Sequence, residues 1–445
     1  VEALLAEYAP WARRAVEWKK ARNSDLQAMQ FPFPAYRPGQ RAMAGEVYKV
    51  CRDGGQLLCQ APTGIGKSMS VLFPALKSMG NESVGPIFYL TARGTTRTAA
   101  ENALAILRNT EPELHLRSVT LTAKDKICLC ETRECTPEAC PYANGYYARI
   151  KGALWDVLDV PCLTAETLQE YAERHMVCPF ELGLDSSLWS DVIIGDYNYL
   201  FDPVVHLVRF FESAGDYIFL VDEAHNLPGR AREMHSAALT KTSFYEAKKL
   251  LGKGKSSLKN ALTKVNDVFI EWRHRAEEET AARDGRFGKT FFLKERSEEF
   301  DHLLNRLCEP LEAWLDDHRE PDETHTALLQ LYFDVRAWLR VADTFDDHFV
   351  LQITASGSEV RAAQLCLDPS AFLADSFALG RAAVLFSATL APASYYKDLC
   401  GVPEARAVAL RSPFPAGNQG LFCIGNVSTR YKDCLLYTSD AADDK

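Results

Sequence analysis

The stretch Gln60-Ala61-Pro62-Thr63-Gly64-Ile65-Gly66-Lys67-Ser68 decides the fold. The run before it, Gln56 to Gln60, is short and apolar and predicts a buried strand. The run after it, Met69 to Met79, is compatible with a helix. Strand, small-residue loop, Lys-Ser and helix together make a phosphate-binding loop. Gly64 and Gly66 let the backbone curl so that successive N–H groups point at one anion. The helix that follows adds its positive dipole end. Thr63 completes the loop, Lys67 can reach the β- and γ-phosphates of ATP, and the Ser68 hydroxyl can sit on Mg²⁺. The strict pattern has Gly at the first position, where this chain has Ala61. The alternative is a plain turn between a strand and a helix, which would not need Lys-Ser in register.

Working outward, the partner of that loop is Gly215-Asp216-Tyr217-Ile218-Phe219-Leu220-Val221-Asp222-Glu223-Ala224-His225. An acidic pair closes an apolar strand about one domain length downstream. Asp222 is placed to hold Mg²⁺ through its water shell, and Glu223 to orient and polarise an attacking water. His225 would link the γ-phosphate site to a nucleic-acid site. Upstream, Tyr36-Arg37-Pro38-Gly39-Gln40 follows a proline-fixed extended path. Tyr36, Arg37 and Gln40 are candidates to stack on and hydrogen-bond adenine, against the alternative of a surface linker.

A chain of 445 residues predicts two to four domains. Its net charge of -10 argues against a nucleic-acid binder that uses its whole surface, and leaves room for a local basic groove. No run has the length of a membrane span, so no membrane association is expected. Thirteen cysteines without a charged-then-apolar leader point to a reducing, cytoplasmic setting and to soft-ligand binding rather than disulfides. The first residue is Val1, which reads as a cut from a longer protein.

Residues 86–93 predict a strand running into a polar turn. Thr91 and Arg93, with Thr95, Thr96 and Arg97, offer hydroxyls and cations suited to a phosphodiester backbone, or a helix cap. Cys128, Cys130, Cys135 and Cys140 cluster, and Cys178 follows before Pro179-Phe180. Their spacing lacks paired Cys-x-x-Cys knuckles and leaves zinc and an iron–sulfur cluster equally open. From 232 the pattern turns helical and charged, with Lys241, Lys248, Lys249, Lys253, Lys255, Lys259 and Lys264 as either a strand-binding face or solvated surface. Residues 346–366 predict hairpin strands, and 382–392 a core strand ending in Ser387-Ala388-Thr389-Leu390. The final CLLYTSDAADDK continues no earlier pattern and reads as a non-native tail, the alternative being an acidic disordered end.

Taken in order, the Tyr-Arg-Pro-Gly-Gln element, APTGIGKS, the cysteine cluster, VDEAH and FSATL resemble the XPD/DinG branch of superfamily-two, DEAH-type DNA helicases. The resemblance runs from about residue 31 to 433. It implies an α/β fold: a RecA-like P-loop NTPase motor with a parallel sheet and flanking helices, an inserted iron–sulfur domain and a helical arch. The division it implies is a helical connector (1–30), motor segments at 31–115, 183–231 and 346–400, an Fe–S domain (116–182), the arch (232–345), the start of a second RecA-like domain (401–433) and the tail (434–445). It implies a [4Fe–4S] cluster on Cys128, Cys135, Cys140 and Cys178, with Cys130 as a substitute for Cys128. It also implies catalytic roles for Lys67, Asp222, Glu223 and His225, and ATP-driven 5′→3′ movement on single-stranded DNA and at DNA junctions by a monomer. The other function class is a nucleotide-regulated redox sensor or a zinc-stabilised remodeller that binds DNA without unwinding it.

Overall fold

The computed structural model describes residues 2–81, 84–92, 94–252, 256–282, 289–320, 322–418 and 420. Arg93, Lys253, Lys255, residues 419 and 421–433 of the expected start of a second motor domain, and the tail lie outside the described residues. In chain order the strands are β1 (Gly55–Gln60), β2 (Ile87–Thr91), β3 (Ser118–Thr120), β4 (Cys162–Leu163), β5 (Val192–Asp196) and β6 (Ile218–Asp222). They continue with β7 (Ala237–Thr240), β8 (Lys289–Leu293), β9 (Phe349–Ser356), β10 (Glu359–Cys366), β11 (Ala382–Ser387) and β12 (Arg406–Ala409).

Eight of these form one sheet in the order β12-β1-β11-β6-β2-β5-β3-β4. Every pairing in it is parallel. Its central strands read as unbroken apolar runs because both faces are covered. Side chains alternate between two cores. Leu57, Ile87, Tyr89 and Leu220 face the helices α2 (Gln40–Asp53), α3 (Lys67–Met79) and α4 (Gly94–Thr110). Leu58, Phe88, Leu90 and Val221 face the opposite layer, which includes the helix Tyr146–Val157 and the phenylalanines 201, 210 and 211. A one-residue slip would exchange the two sets, so the register is tightly specified.

The remaining strands form an antiparallel sheet in the order β7-β10-β9-β8. The long helices Ser257–Ala282, Glu298–Asp317 and Glu323–Thr344 pack on it around Phe269, Phe291, Phe300 and Trp338. The inserted unit is therefore not purely helical. The expected hairpin is present, but β9 and β10 pair with β7 and β8, beyond the boundary expected at residue 345. Alternating burial explains this: β9 buries every second residue against the insertion's helices, unlike the central motor strands. Similarly, β3 and β4, expected inside a separate cysteine-rich domain, extend the motor sheet.

Candidate nucleotide site and cysteine cluster

The expected phosphate loop lies between β1 and α3. Gly64 and Gly66 have φ of +88° and +82°, the left-handed region where a side chain is strained. The Lys67 Nζ lies 3.4 Å from Glu223 Oε1. Parallel pairing of β1 with β11, and of β11 with β6, brings both strand ends to the same edge. Ligand sites in open α/β sheets lie at that carboxyl edge.

Tyr89 was not foreseen in this site. Its hydroxyl donates to Asp222 Oδ2 at 2.7 Å and stands 3.4 Å from Ser68 Oγ. The two residues expected to hold Mg²⁺ thus converge on one buried phenol. A polar tip inside the otherwise apolar Ile87–Thr91 strand was its only sequence signal. Burial, then the neighbouring Asp222 carboxylate, push the Tyr89 phenol well above its ordinary range. Burial likewise raises Asp222, against hydrogen bonds from Tyr89 and the Glu223 N–H and the pull of Lys67.

Glu223 has a left-handed backbone, φ 50°, unusual for a residue with a side chain. That turn lets its N–H donate to Asp222 Oδ1 at 2.8 Å while its carboxylate meets Lys67. Ser387 Oγ donates to Glu223 Oε2 at 3.0 Å, and His225 Nδ1 lies 2.7 Å from the same hydroxyl. The Ser-Ala-Thr turn after β11 is therefore wired directly to the acidic pair. Pro413 and Phe414 pass over the loop, close enough that a Cβ on Gly64 would meet the Phe414 ring at 2.7 Å.

The approach loop is placed differently from expectation. Arg37 donates to the Gly64 carbonyl, and its N–H donates to Gln40 Oε1 at 3.0 Å. Tyr36 is not with them. It stacks on Phe31, centroids 3.9 Å apart, and lines another cavity with Arg41 and Tyr48. Phe33 is the ring beside Lys67 and Ser68. Phe31 contacts both rings, its centroid 5.6 Å from Phe33 and 3.9 Å from Tyr36, an arrangement that spacing alone did not assign.

Thr91 is fully buried and meets Thr96 hydroxyl to hydroxyl, so it closes the turn rather than facing outward. Arg97 pairs with Asp196 at 3.5 Å. In the inserted unit, Lys241 donates to the Ser358 carbonyl, Lys249 pairs with Glu246, and Lys259 reaches the Gly252 carbonyl. These contacts fit a solvated surface at least as well as a strand-binding face.

Cys128, Cys130, Cys135, Cys140 and Cys178 line one cavity of about 280 Å³. Cys130 and Cys140 Sγ are 3.8 Å apart, and Cys135 is exposed. Burial raises the Cys178 thiol, opposed by the N–H groups of Phe180 and Glu181 at the helix start. Among the described residues no group of three or more His, Cys, Asp or Glu stands ready to hold a metal ion. The convergence of five sulfurs on one pocket nevertheless fits a sulfur-ligated group in its donor chemistry. Among the described residues no helix is long and apolar enough to cross a membrane.

The DEAD_2 family model matches residues 102–244, from α4 past the acidic pair into the helix Lys241–Leu250. The chain is 25% identical over 276 residues to the general transcription and DNA repair factor IIH helicase subunit XPD/RAD3 of Saccharomyces cerevisiae, covering 54% of this chain and 34% of that protein. The match to the regulator of telomere elongation helicase 1 homolog of Drosophila yakuba is 22% over 262 residues, covering 47% and 26%. The chain is similar to both helicases over about half of its length. The solved structure XPD_Helicase superposes with a TM-score of 0.52 at 18% identity over 85% of this chain and 62% of that one. Truncated XPD superposes with a TM-score of 0.50 at 17% identity over 83% and 99%. The α/β fold with insertions is thus shared with these two solved structures, and the chain spans about a third or less of the length of the two curated relatives.

Proposed function

We propose that the whole protein is an ATP-driven DNA helicase that moves 5′→3′ on single-stranded DNA and separates strands at junctions. The observation that carries this reading is the meeting of Lys67, Ser68, Asp222 and Glu223 at one sheet edge, bridged by Tyr89. Lys67 holds the terminal phosphates, and Ser68 and Asp222 would hold Mg²⁺, which would supply charge neutralisation for the transferred phosphoryl. Glu223 orients the attacking water and accepts its proton. Ser387 and His225, both bonded to one another through the serine hydroxyl, pass movement of Glu223 to the rest of the motor.

Cys128, Cys135, Cys140 and Cys178 hold a [4Fe–4S] cluster in this proposal, with Cys130 as the spare thiol lining the same cavity. Such a cluster, when bound, would cross-link the segments that carry these cysteines into one rigid unit. Efficient hydrolysis in such motors also draws on an arginine from a facing domain, worth ~10³-fold or more. DNA-stimulated ATP hydrolysis and strand separation by the full-length protein, against Lys67→Ala, test the reading. Hydrolysis indifferent to DNA, with no strand separation, would overturn it.

A further inference from the structure

We propose that Asn102, on α4, reads the base of the bound nucleotide and makes the site prefer a 6-amino purine. This rests on the nucleotide-binding reading above and adds a specificity residue to it. Beside the start of α3 lies a cavity of about 400 Å³, lined by Phe33, Arg37 and Gln40 from the approach loop, Met69 from α3, and Asn102 and Ile106 from α4. Lys67 and Ser68 line it too, so a nucleotide anchored on them by its phosphates would have this cavity within reach of its base. Phe33 and Ile106 are 42% and 38% exposed, large apolar groups left open on two walls of one pocket. A flat ring inserted between such walls would cover both.

The polar group expected to read the base is largely committed elsewhere. Gln40 is 3% exposed, and its Oε1 already accepts from the Arg37 N–H at 3.0 Å. Its Nε2 lies where a Cβ on Gly66 would be 3.1 Å away, packed on the loop. Gln40 therefore serves as a clamp that fixes Arg37 against the phosphate loop. Arg37 offers only donors. Asn102 is exposed and makes no hydrogen bond among the described residues. Its carboxamide supplies an acceptor and a donor side by side, which matches the 6-amino group and N7 of adenine. A 6-oxo purine presents two acceptors at that edge and cannot satisfy both ends of the amide in the same pose.

The test is calorimetric titration of the protein with MgATP, MgITP and magnesium tripolyphosphate, which has no base. The parent protein is expected to favour ATP over ITP by about tenfold, the worth of one ordinary hydrogen bond. Asn102→Ala is expected to bring that ratio close to one and leave tripolyphosphate binding unchanged. Phe33→Ala is expected to weaken ATP and ITP alike, again sparing tripolyphosphate. A ratio that survives Asn102→Ala would overturn the proposal while tripolyphosphate binding sensitive to Lys67→Ala still supported the phosphate loop. Absence of binding by all three probes would bring down the phosphate-loop reading, and the base pocket with it.

Discussion

Lys67 and Glu223 are 156 residues apart in the chain and 3.4 Å apart in space. Parallel strand order produces this contact: β1 and β6 flank β11, and all three end at the same edge. The ion pair is poised for exchange, because a bound triphosphate would take Lys67 and free Glu223 to face water.

The two halves of that pair should separate in mutants. Lys67→Ala is expected to abolish measurable nucleotide binding. Glu223→Gln should keep binding and lower hydrolysis by about 10²-fold or more, since an amide accepts no proton. Nucleotide titration together with phosphate release on the full-length protein checks both.

Tyr89→Phe leaves Asp222 Oδ2 buried without its 2.7 Å donor. A loss of roughly 1–3 kcal/mol in stability is expected, read from urea unfolding, along with weaker dependence of nucleotide binding on Mg²⁺. Unchanged stability and an unchanged Mg²⁺ response would show the phenol to be a bystander.

Asp222 also predicts a pH dependence. Burial raises its folded-state pKa above the unfolded value. Folding therefore favours the protonated form, and this contribution is full below the unfolded pKa and fades as pH climbs through the folded one. Asp222→Asn should be more stable than the parent at pH 7, with the gap narrowing as pH falls into the carboxylate range. Denaturation curves across pH measure it, and a gap that widens on acidification contradicts the burial argument.

Cys140→Ser is expected to lose bound iron while keeping nucleotide affinity, because Cys140 lines the sulfur cavity and not the phosphate-loop pocket. Metal analysis of anaerobically purified protein, paired with ATP titration, decides this. Iron content equal to the parent removes Cys140 from the ligand set.

The first helix, α1 (Glu2–Ala28), makes a stability prediction. Arg22 pairs with Asp191 at 2.8 Å with both side chains nearly buried, and Trp18 Nε1 and the Arg117 N–H donate to the same carboxylate. Arg22→Ala leaves a buried charge short of a cation, expected to cost about 3–5 kcal/mol. Chemical denaturation of the variant measures it. A cost below that of a surface ion pair would mean that α1 does not help hold the motor together.

Much of the motor was legible in one dimension. The glycine spacing before Lys67-Ser68, the apolar runs ending in Thr91, Asp222 and Ser387, and the dense cysteines are all local patterns, and local patterns are set by backbone geometry and side-chain period. The matching strands β1, β2, β6 and β11 formed where those runs lie. The chain of residues by itself determined the glycine-rich turn between β1 and α3, the acidic end of β6 and the presence of a sulfur-rich segment.

Folding in three dimensions decided the rest. That Tyr89 bridges Ser68 and Asp222 depends on which face of β2 meets α3, which no periodicity reports. That Phe33 rather than Tyr36 lines the cavity beside Lys67 depends on how a proline-rigid loop crosses α3. That Thr91 closes a turn, and that β9 and β10 join the inserted sheet, follow from contacts between distant segments. Such choices are made by competition for burial and hydrogen-bond partners across the whole domain, so they exist only once the chain has packed.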